Sequence, residues 1–208
     1  MVTPPDPLEF WQRVHKRRIR HWVTATPGPV IAAALEVTDR LTTSSVLRVL
    51  EIGVGHGTMV AYLLAQGYAV TGVDLSPRAL RRLPAGVARV QTAALPDVPT
   101  ASHDLALSFL CVQHCDDAMV AFLLRHAVRI AGECRFQMAD RDDSAHRVYT
   151  HGAPFYVRPL AHVAALVPEL TLTRLARVPQ PHHASNPHLV WELVVARPNS
   201  VDEIGDSA

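Results

Sequence analysis

The chain is predicted to fold as an α/β protein built on a doubly wound, mostly parallel sheet, and three observations predict it. From Val46 onward, short apolar runs alternate with helix-compatible segments. The first of these runs enters a glycine-rich turn that opens a helix. Two late apolar runs are joined by a polar stretch too short for a helical crossover, which makes them an antiparallel pair.

Taken in order, a Pro-rich lead through Pro7 precedes a helix over Leu8–Val23, which the Thr26-Pro27-Gly28-Pro29 cluster stops, and a second helix over Val30–Arg40. Strands are expected at Val46–Ile52, Ala69–Asp74, Ala88–Thr92, Asp104–Phe109 and Cys134–Met138, with helices at Thr58–Gln66, Pro77–Leu83 and Asp117–Ala131. A helix over Pro159–Leu166 leads to the last two strands, Leu170–Arg177 and Leu189–Ala196. Residues 1–198 therefore form one domain, with a helical lid over 1–40, an α/β core over 46–198 and a flexible tail over 199–208.

Hydrophobic residues make up 49% of the 208 and charged residues 19%, a balance that supports a sizeable core. Lys+Arg is 20 against Asp+Glu 19, so no basic field is available to grip nucleic acid. Three cysteines, Cys111, Cys115 and Cys134, give no paired disulfide framework and suit a reducing cytoplasm. Cys111 and Cys115 flank His114 but lack the further ligands of a zinc site, so no metal is expected. No apolar run reaches the roughly 18 residues that would span a bilayer, and no leader-like start is present, so neither a membrane partner nor targeting is expected.

The strongest chemical signal is Glu51-Ile52-Gly53-Val54-Gly55-His56-Gly57, where a buried strand runs into a turn that lets backbone approach a ligand closely. A dinucleotide fingerprint G-x-G-x-x-G would need glycine at position 58, where this chain has Thr58. Asp74, at the end of the second strand in Val73-Asp74-Leu75-Ser76-Pro77, offers two oxygens that suit a pair of ribose hydroxyls.

This arrangement resembles the class I S-adenosylmethionine-dependent methyltransferases, in particular their small-molecule branch. The resemblance runs closely over about Val46 to Asp140, taking in Gln91-Thr92-Ala93-Ala94-Leu95-Pro96 and His103-Asp104-Leu105-Ala106-Leu107-Ser108, and more loosely over the last strand pair. It implies a Rossmann-like seven-stranded sheet of order 3-2-1-4-5-7-6 with the last strand antiparallel. It implies S-adenosyl-L-methionine as cofactor, with Glu51, Gly53, Gly55 and Gly57 around the methionine end, Asp74 and Leu75 at the ribose, and Gln91 and Thr92 beside the adenine. Gln91 departs from the acidic residue that many members carry there and leaves a neutral hydrogen bond in its place.

The acceptor side is drawn from three segments. His114, after the fourth strand, lies at a place resembling the active-site rim and is the candidate general base, since an imidazole with an ordinary pKa of about 6.5 suits proton removal near neutrality. The alternative is that it packs between neighbouring helices. On the first helix, Arg13, Lys16, Arg17 and Arg20 share one stripe while Trp11, Val14 and Trp22 share the opposite one, with His15 and Arg18 on the tryptophan side. Trp11, His15, Arg18 and Trp22 are thus candidate substrate contacts, Arg18 meeting either an acidic acceptor or a carboxylate of the protein itself. Tyr149, His151, Tyr156 and Arg158 complete the set, in a stretch that in the resembling family covers the acceptor. The bland alternative for that stretch is a surface loop leading into a helix.

The function these readings imply is methyl transfer to oxygen or nitrogen of a small molecule, with an acidic or aromatic acceptor of the kind met in secondary metabolism. Two rivals stand beside it: a protein of the same fold that binds S-adenosylmethionine without methylating, and an NAD-dependent oxidoreductase using Asp74 for its ribose.

Overall fold

In the computed structural model, residues 8–9, 11–12, 47–109, 111–139, 146–150, 153–179 and 189–196 are described. Strand β1 (Arg48–Ile52) is hydrogen-bonded on both sides, to β2 (Ala69–Asp74) and β4 (His103–Phe109), and all three run parallel. A strand covered on both faces must be apolar in every position, and Val49, Leu50 and Ile52 are almost completely buried. Side chains alternate between the faces, so Leu50 and Ile52 join one core while Val49 joins the other. Glu51, two residues from Val49, is the buried polar exception in this strand, Arg48 at its start being exposed.

The sheet has seven strands in the order β3-β2-β1-β4-β5-β9-β8. Strands β3 (Ala88–Gln91) and β5 (Ala131–Ala139) extend the parallel part to five, and β9 (Leu189–Ala196) pairs antiparallel with both β5 and β8 (Thr171–Pro179). The expected doubly wound α/β architecture is therefore present. Helix α1 (Thr58–Ala65) connects β1 to β2 and buries Val60 and Leu63 on the core that contains Val49. A four-residue helix α2 (Pro77–Leu80) follows β2, shorter than the span to Leu83 that the sequence suggests, and Leu83 still fills the core against Gly57 and Gly72. Helix α3 (Asp117–Ile130) covers the opposite face with Val120, Leu123, Leu124 and Ala127, the spacing of one helical stripe. The Asp116 side chain caps α3 by accepting from the Met119 N–H at 2.9 Å. Helix α4 (Leu160–Leu166) precedes β8.

Three departures from the sequence reading affect the site. Thr92, expected to end β3, instead opens a 3-10 turn over Thr92–Asp97. Strand β5 starts at Ala131 with no connection after α3, because ladder bonds to β4 reach back to His103↔Ala131. The stretch expected to cover the acceptor, for which no strand was expected, contains an antiparallel hairpin, β6 (His146–Thr150) with β7 (Ala153–Val157), separated in sequence only by His151 and Gly152. Of the expected lid over 1–40, Leu8, Glu9, Trp11 and Gln12 are described and helical; the helix over Val30–Arg40 and the tail over 199–208 lie outside the described residues.

At the amino-terminal edge of the sheet, His103 uses both ring nitrogens: Nε2 meets Thr71 Oγ1 and Nδ1 meets Ser102 Oγ, each at 2.9 Å. Burial, reinforced by the nearby Arg48, holds this imidazole below the ordinary histidine value despite the opposing Asp104. The unfolded chain then takes up the proton first, so the stability His103 supplies is full above about pH 6.5 and is lost as the pH falls toward and through the folded value. Thermal melts between pH 7.5 and 5.5 are expected to fall less steeply for His103→Gln than for the parent.

Candidate functional site

The site forms at the carboxyl ends of β1, β2 and β4, where the strand order reverses between β1 and β4 and a crevice must open. The turn after β1 is held by backbone: the N–H groups of Gly53 and Val54 both donate to Val73 O, at 2.7 and 3.2 Å. Gly53, Gly55 and Gly57 all have positive φ, at 85°, 51° and 80°, a conformation that favours glycine. Their surroundings differ. A Cβ on Gly53 would lie 2.5 Å from both Cβ and Sγ of Cys111, and one on Gly57 would lie 3.2 Å from Leu83. A Cβ on Gly55 would meet only Gly53 O, at 4.0 Å. Gly53 and Gly57 are thus glycines for the protein's own packing, while Gly55 leaves an open cradle that a side chain would fill.

Asp74 ties the two strand ends together. Its Oδ2 accepts from the Gly55 N–H at 3.0 Å and its Oδ1 from the Ser76 N–H at 2.8 Å. Burial pushes this carboxyl above its ordinary value, although the N–H groups of Ser76, Gly55 and Leu75 pull the other way. Each oxygen keeps a lone pair for a hydroxyl donor. Gln91 is Asp74's register partner on β3 and is exposed, while Thr92 beside it is buried. Asp74, Gln91 and Thr92 therefore stand together along one edge of the crevice.

Glu51 is 3% exposed, and its Oε2 has no hydrogen-bond partner among the described residues. Desolvation, with the Asp74 charge added, pushes its carboxyl well above the ordinary range. A buried, half-satisfied carboxyl beside an open glycine cradle fits a ligand that brings a cationic or donor group, and the amino group of S-adenosylmethionine is such a group. With Asp74 ready for ribose hydroxyls, the residues present fit that cofactor.

After β4 the chain makes a 3-10 turn over Val112–His114. Its first flank, Cys111, is the residue packed on Gly53. A hydrogen bond with Cys115, burial and the nearby acidic groups raise the Cys111 thiol well above its ordinary value, which makes it a packing group and a poor nucleophile. His114 is buried and stands edge-on to Trp11, ring centroids 5.0 Å apart and planes at 73°. The candidate base and the first lid residue, distant in sequence, thus meet in the structure. His15, Arg18, Trp22 and His151 lie outside the described residues, and of Tyr149 only the backbone, in β6, is described.

Arg158, expected at the acceptor, has a different position. It is 3% exposed and its guanidinium is taken up by the protein, donating to Asp117 Oδ1 at 2.8 Å and Cys115 O at 2.7 Å, with the Tyr156 ring centroid 4.5 Å away. A buried cation spent on a carboxylate, a carbonyl and an aromatic face has little left for a substrate. The spacing gave no sign of this network, because Asp117 is 41 residues from Arg158 and a carbonyl acceptor leaves no mark in a sequence. The hairpin that carries Arg158 did leave a signal: β-branched and aromatic runs on either side of His151-Gly152. No cluster of metal-binding side chains occurs among the described residues, and no helix among them is long and apolar enough to cross a membrane.

Residues 49–133 match the family model described as a methyltransferase domain. Comparison with curated protein sequences gives no match. Among solved structures, the chain resembles the 1,6-didemethyltoxoflavin-N1-methyltransferase of Burkholderia thailandensis with bound 1,6-didemethyltoxoflavin and S-adenosylhomocysteine, with a TM-score of 0.66 and 19% identity over 95% of this chain and 92% of that one. It also resembles the magnesium protoporphyrin IX methyltransferase of Synechocystis with bound S-adenosylmethionine, with a TM-score of 0.63 and 12% identity over 95% of this chain and 100% of that one. A glycopeptide N-methyltransferase complexed with S-adenosylmethionine gives a TM-score of 0.56 and 16% identity over 80% and 93% of the two chains.

Two substitutions test the cradle. Gly55→Val would place a branched side chain in the open space while meeting little protein, so calorimetry should find a folded variant that no longer binds S-adenosylhomocysteine. Asp74→Ala should weaken the same binding by more than tenfold, since hydroxyls left without their acceptor cost about 1–3 kcal/mol.

Proposed function

We propose that this chain, whose residues 49–133 match a methyltransferase domain, is a class I S-adenosylmethionine-dependent methyltransferase that methylates an oxygen or nitrogen atom of a small acidic or aromatic acceptor, with His114 as the base. The single observation that carries the acceptor side is the contact between Trp11 and His114. It sets an aromatic wall and a proton acceptor side by side on the turn whose other flank, Cys111, packs on the glycine motif. The rival reading as an oxidoreductase is set aside by the methyltransferase match and by Thr58, which breaks the dinucleotide spacing.

S-adenosylmethionine supplies a methyl group already activated by its sulfonium, so little covalent work falls to the protein. Glu51, Gly55 and Asp74 would hold the cofactor, and Gln91 and Thr92 would flank its adenine. The Trp11 ring packs edge-on against His114 and would restrict water at the acceptor side. His114 would accept the acceptor's proton as the nucleophile attacks in line, and alignment supplies most of the acceleration. His15, Arg18 and Trp22 of the lid, with Tyr149, His151 and Tyr156, are proposed to shape the acceptor pocket, Arg18 by pairing an acidic group. The similar structures are named for 1,6-didemethyltoxoflavin, a glycopeptide and magnesium protoporphyrin IX, and an aromatic acceptor in secondary metabolism is this chain's proposed counterpart. A small-molecule acceptor requires neither a nucleic acid nor a membrane, and the near-balanced charge of the chain suits a cytoplasmic setting.

The decisive experiment incubates the protein with methyl-labelled S-adenosylmethionine and a panel of phenolic and carboxylate-bearing aromatic compounds. Label on a hydroxyl, carboxylate or amine supports the proposal. Binding of the cofactor with no label on any member of the panel would favour the non-methylating reading. With a labelled acceptor in hand, His114→Gln should keep affinity for S-adenosylhomocysteine while lowering the transfer rate by about 10²–10⁴. An unchanged rate would remove His114 from the mechanism.

A further inference from the structure

Arg158 is a buried cation on the hairpin side of the molecule, and every group it bonds belongs to one short stretch, the turn after β4 and the first residue of α3. Its Nη2 donates to Cys115 O at 2.7 Å and its Nη1 lies 3.5 Å from Val112 O, so the fork spans the turn from one side of His114 to the other. Its Nε donates to Asp117 Oδ1 at 2.8 Å, and the second oxygen of that carboxylate meets His162 Nε2 at 2.9 Å. Burial works to raise the Asp117 carboxyl, but the hydrogen bonds from His162 and Arg158 outweigh it and hold it below the ordinary value. The bracket thus joins the end of β7, the turn, the start of α3 and, through His162, helix α4.

We propose that Arg158 is a positioning residue for His114, fixing the turn that carries the imidazole, against which Trp11 packs edge-on. The proposal rests on the reading of His114 as the acceptor-side base and assigns Arg158 a role without substrate contact. A 3-10 turn of three residues makes few bonds of its own: the His114 N–H donates to Cys111 O at 2.9 Å and the Cys115 N–H to Val112 O at 3.1 Å. Without the guanidinium, the carbonyls of Val112 and Cys115 lose a shared donor in a buried or half-buried place, while the half-exposed Asp117 carboxylate can turn to water, so the turn must open for its carbonyls to find replacements. The glycine motif, by contrast, is held by Val73 and Asp74 and does not use Arg158.

The test reads the histidine itself and needs no acceptor. His114 in the full chain is followed by its rate of carbethoxylation with diethyl pyrocarbonate, mapped by peptide mass, with His103 at the far edge of the sheet as internal control. Arg158→Ala is expected to speed modification of His114 by about fivefold or more, as local opening exposes it. The His103 rate should be unchanged. Affinity for S-adenosylhomocysteine should stay within about threefold, because the cofactor turn is held separately. Arg158→Lys, which keeps the charge and a single donor group, should restore part of the protection. An unchanged His114 rate in folded Arg158→Ala overturns the proposal, as does equal acceleration at His103, which would mean general loosening. If Arg158→Ala does not fold, Asp117→Asn decides the matter, faster His114 modification supporting the bracket and an unchanged rate refuting it. A full transfer rate in His114→Gln would defeat the base while leaving this result untouched, so the two readings fail separately.

Discussion

The Asp74 carboxylate, accepting from the Gly55 and Ser76 N–H groups, is the joint on which the site depends. It locks the turn after β1 to the turn after β2, so the glycine cradle and the end of β2 share one rigid frame. The same group is buried enough to be raised above its ordinary value, which means the protein bears the cost of desolvating an acid at this point. Backbone donors offset part of that cost, and a ligand that supplies further donors to Asp74 and a partner for Glu51 would offset more. Glu51 Oε2 and Ser76 Oγ lack a hydrogen-bond partner among the described residues while the cores on the two faces of the sheet are apolar, and that contrast marks where a ligand belongs.

Around this joint the sheet supplies precision without charge. Register places Ile52 beside Val73 and Asp74 beside Gln91, so the residues that end the strands come out level. Gly72 belongs to the same packing: a Cβ there would fall 2.5 Å from Leu83 and 2.9 Å from Val54, so the strand below the turn is as tightly fitted as the turn itself. Cys111 on Gly53 carries that fit across to the acceptor side. One close contact therefore relates the distance from cradle to His114, and Arg158 secures the far end of that distance.

Legibility in the sequence followed the kind of force involved. The parallel core was readable because doubly covered strands are largely apolar, and β2 agrees with its expected limits residue for residue, as does the antiparallel β9. The three glycines of the turn were readable because positive φ restricts those places almost to glycine. Arg158 was misassigned for the opposite reason: a guanidinium serves a substrate and a carbonyl equally well, and only the fold shows which is near. Trp11 and His114 were each picked out, but their contact depends on how the first helix lies against the turn, which local pattern does not contain. The hairpin was not legible because its runs are only five residues each and carry too short an alternation to stand out as strands.

The antiparallel end of the sheet also sets an order of events during synthesis. Strand β5 pairs with β9 through residues 51 to 61 positions apart, from Ala139 with Val190 to Cys134 with Val195. Everything that builds the cradle, from β1 through β4, has left the ribosome long before that partner exists. Until β9 arrives, β5 is an edge strand carrying Phe136 and Met138, side chains that end up in the core. The nascent chain therefore holds a nearly finished cofactor face beside an open, apolar sheet edge, and its hazard before release is mispairing with other chains more than failure to form the site.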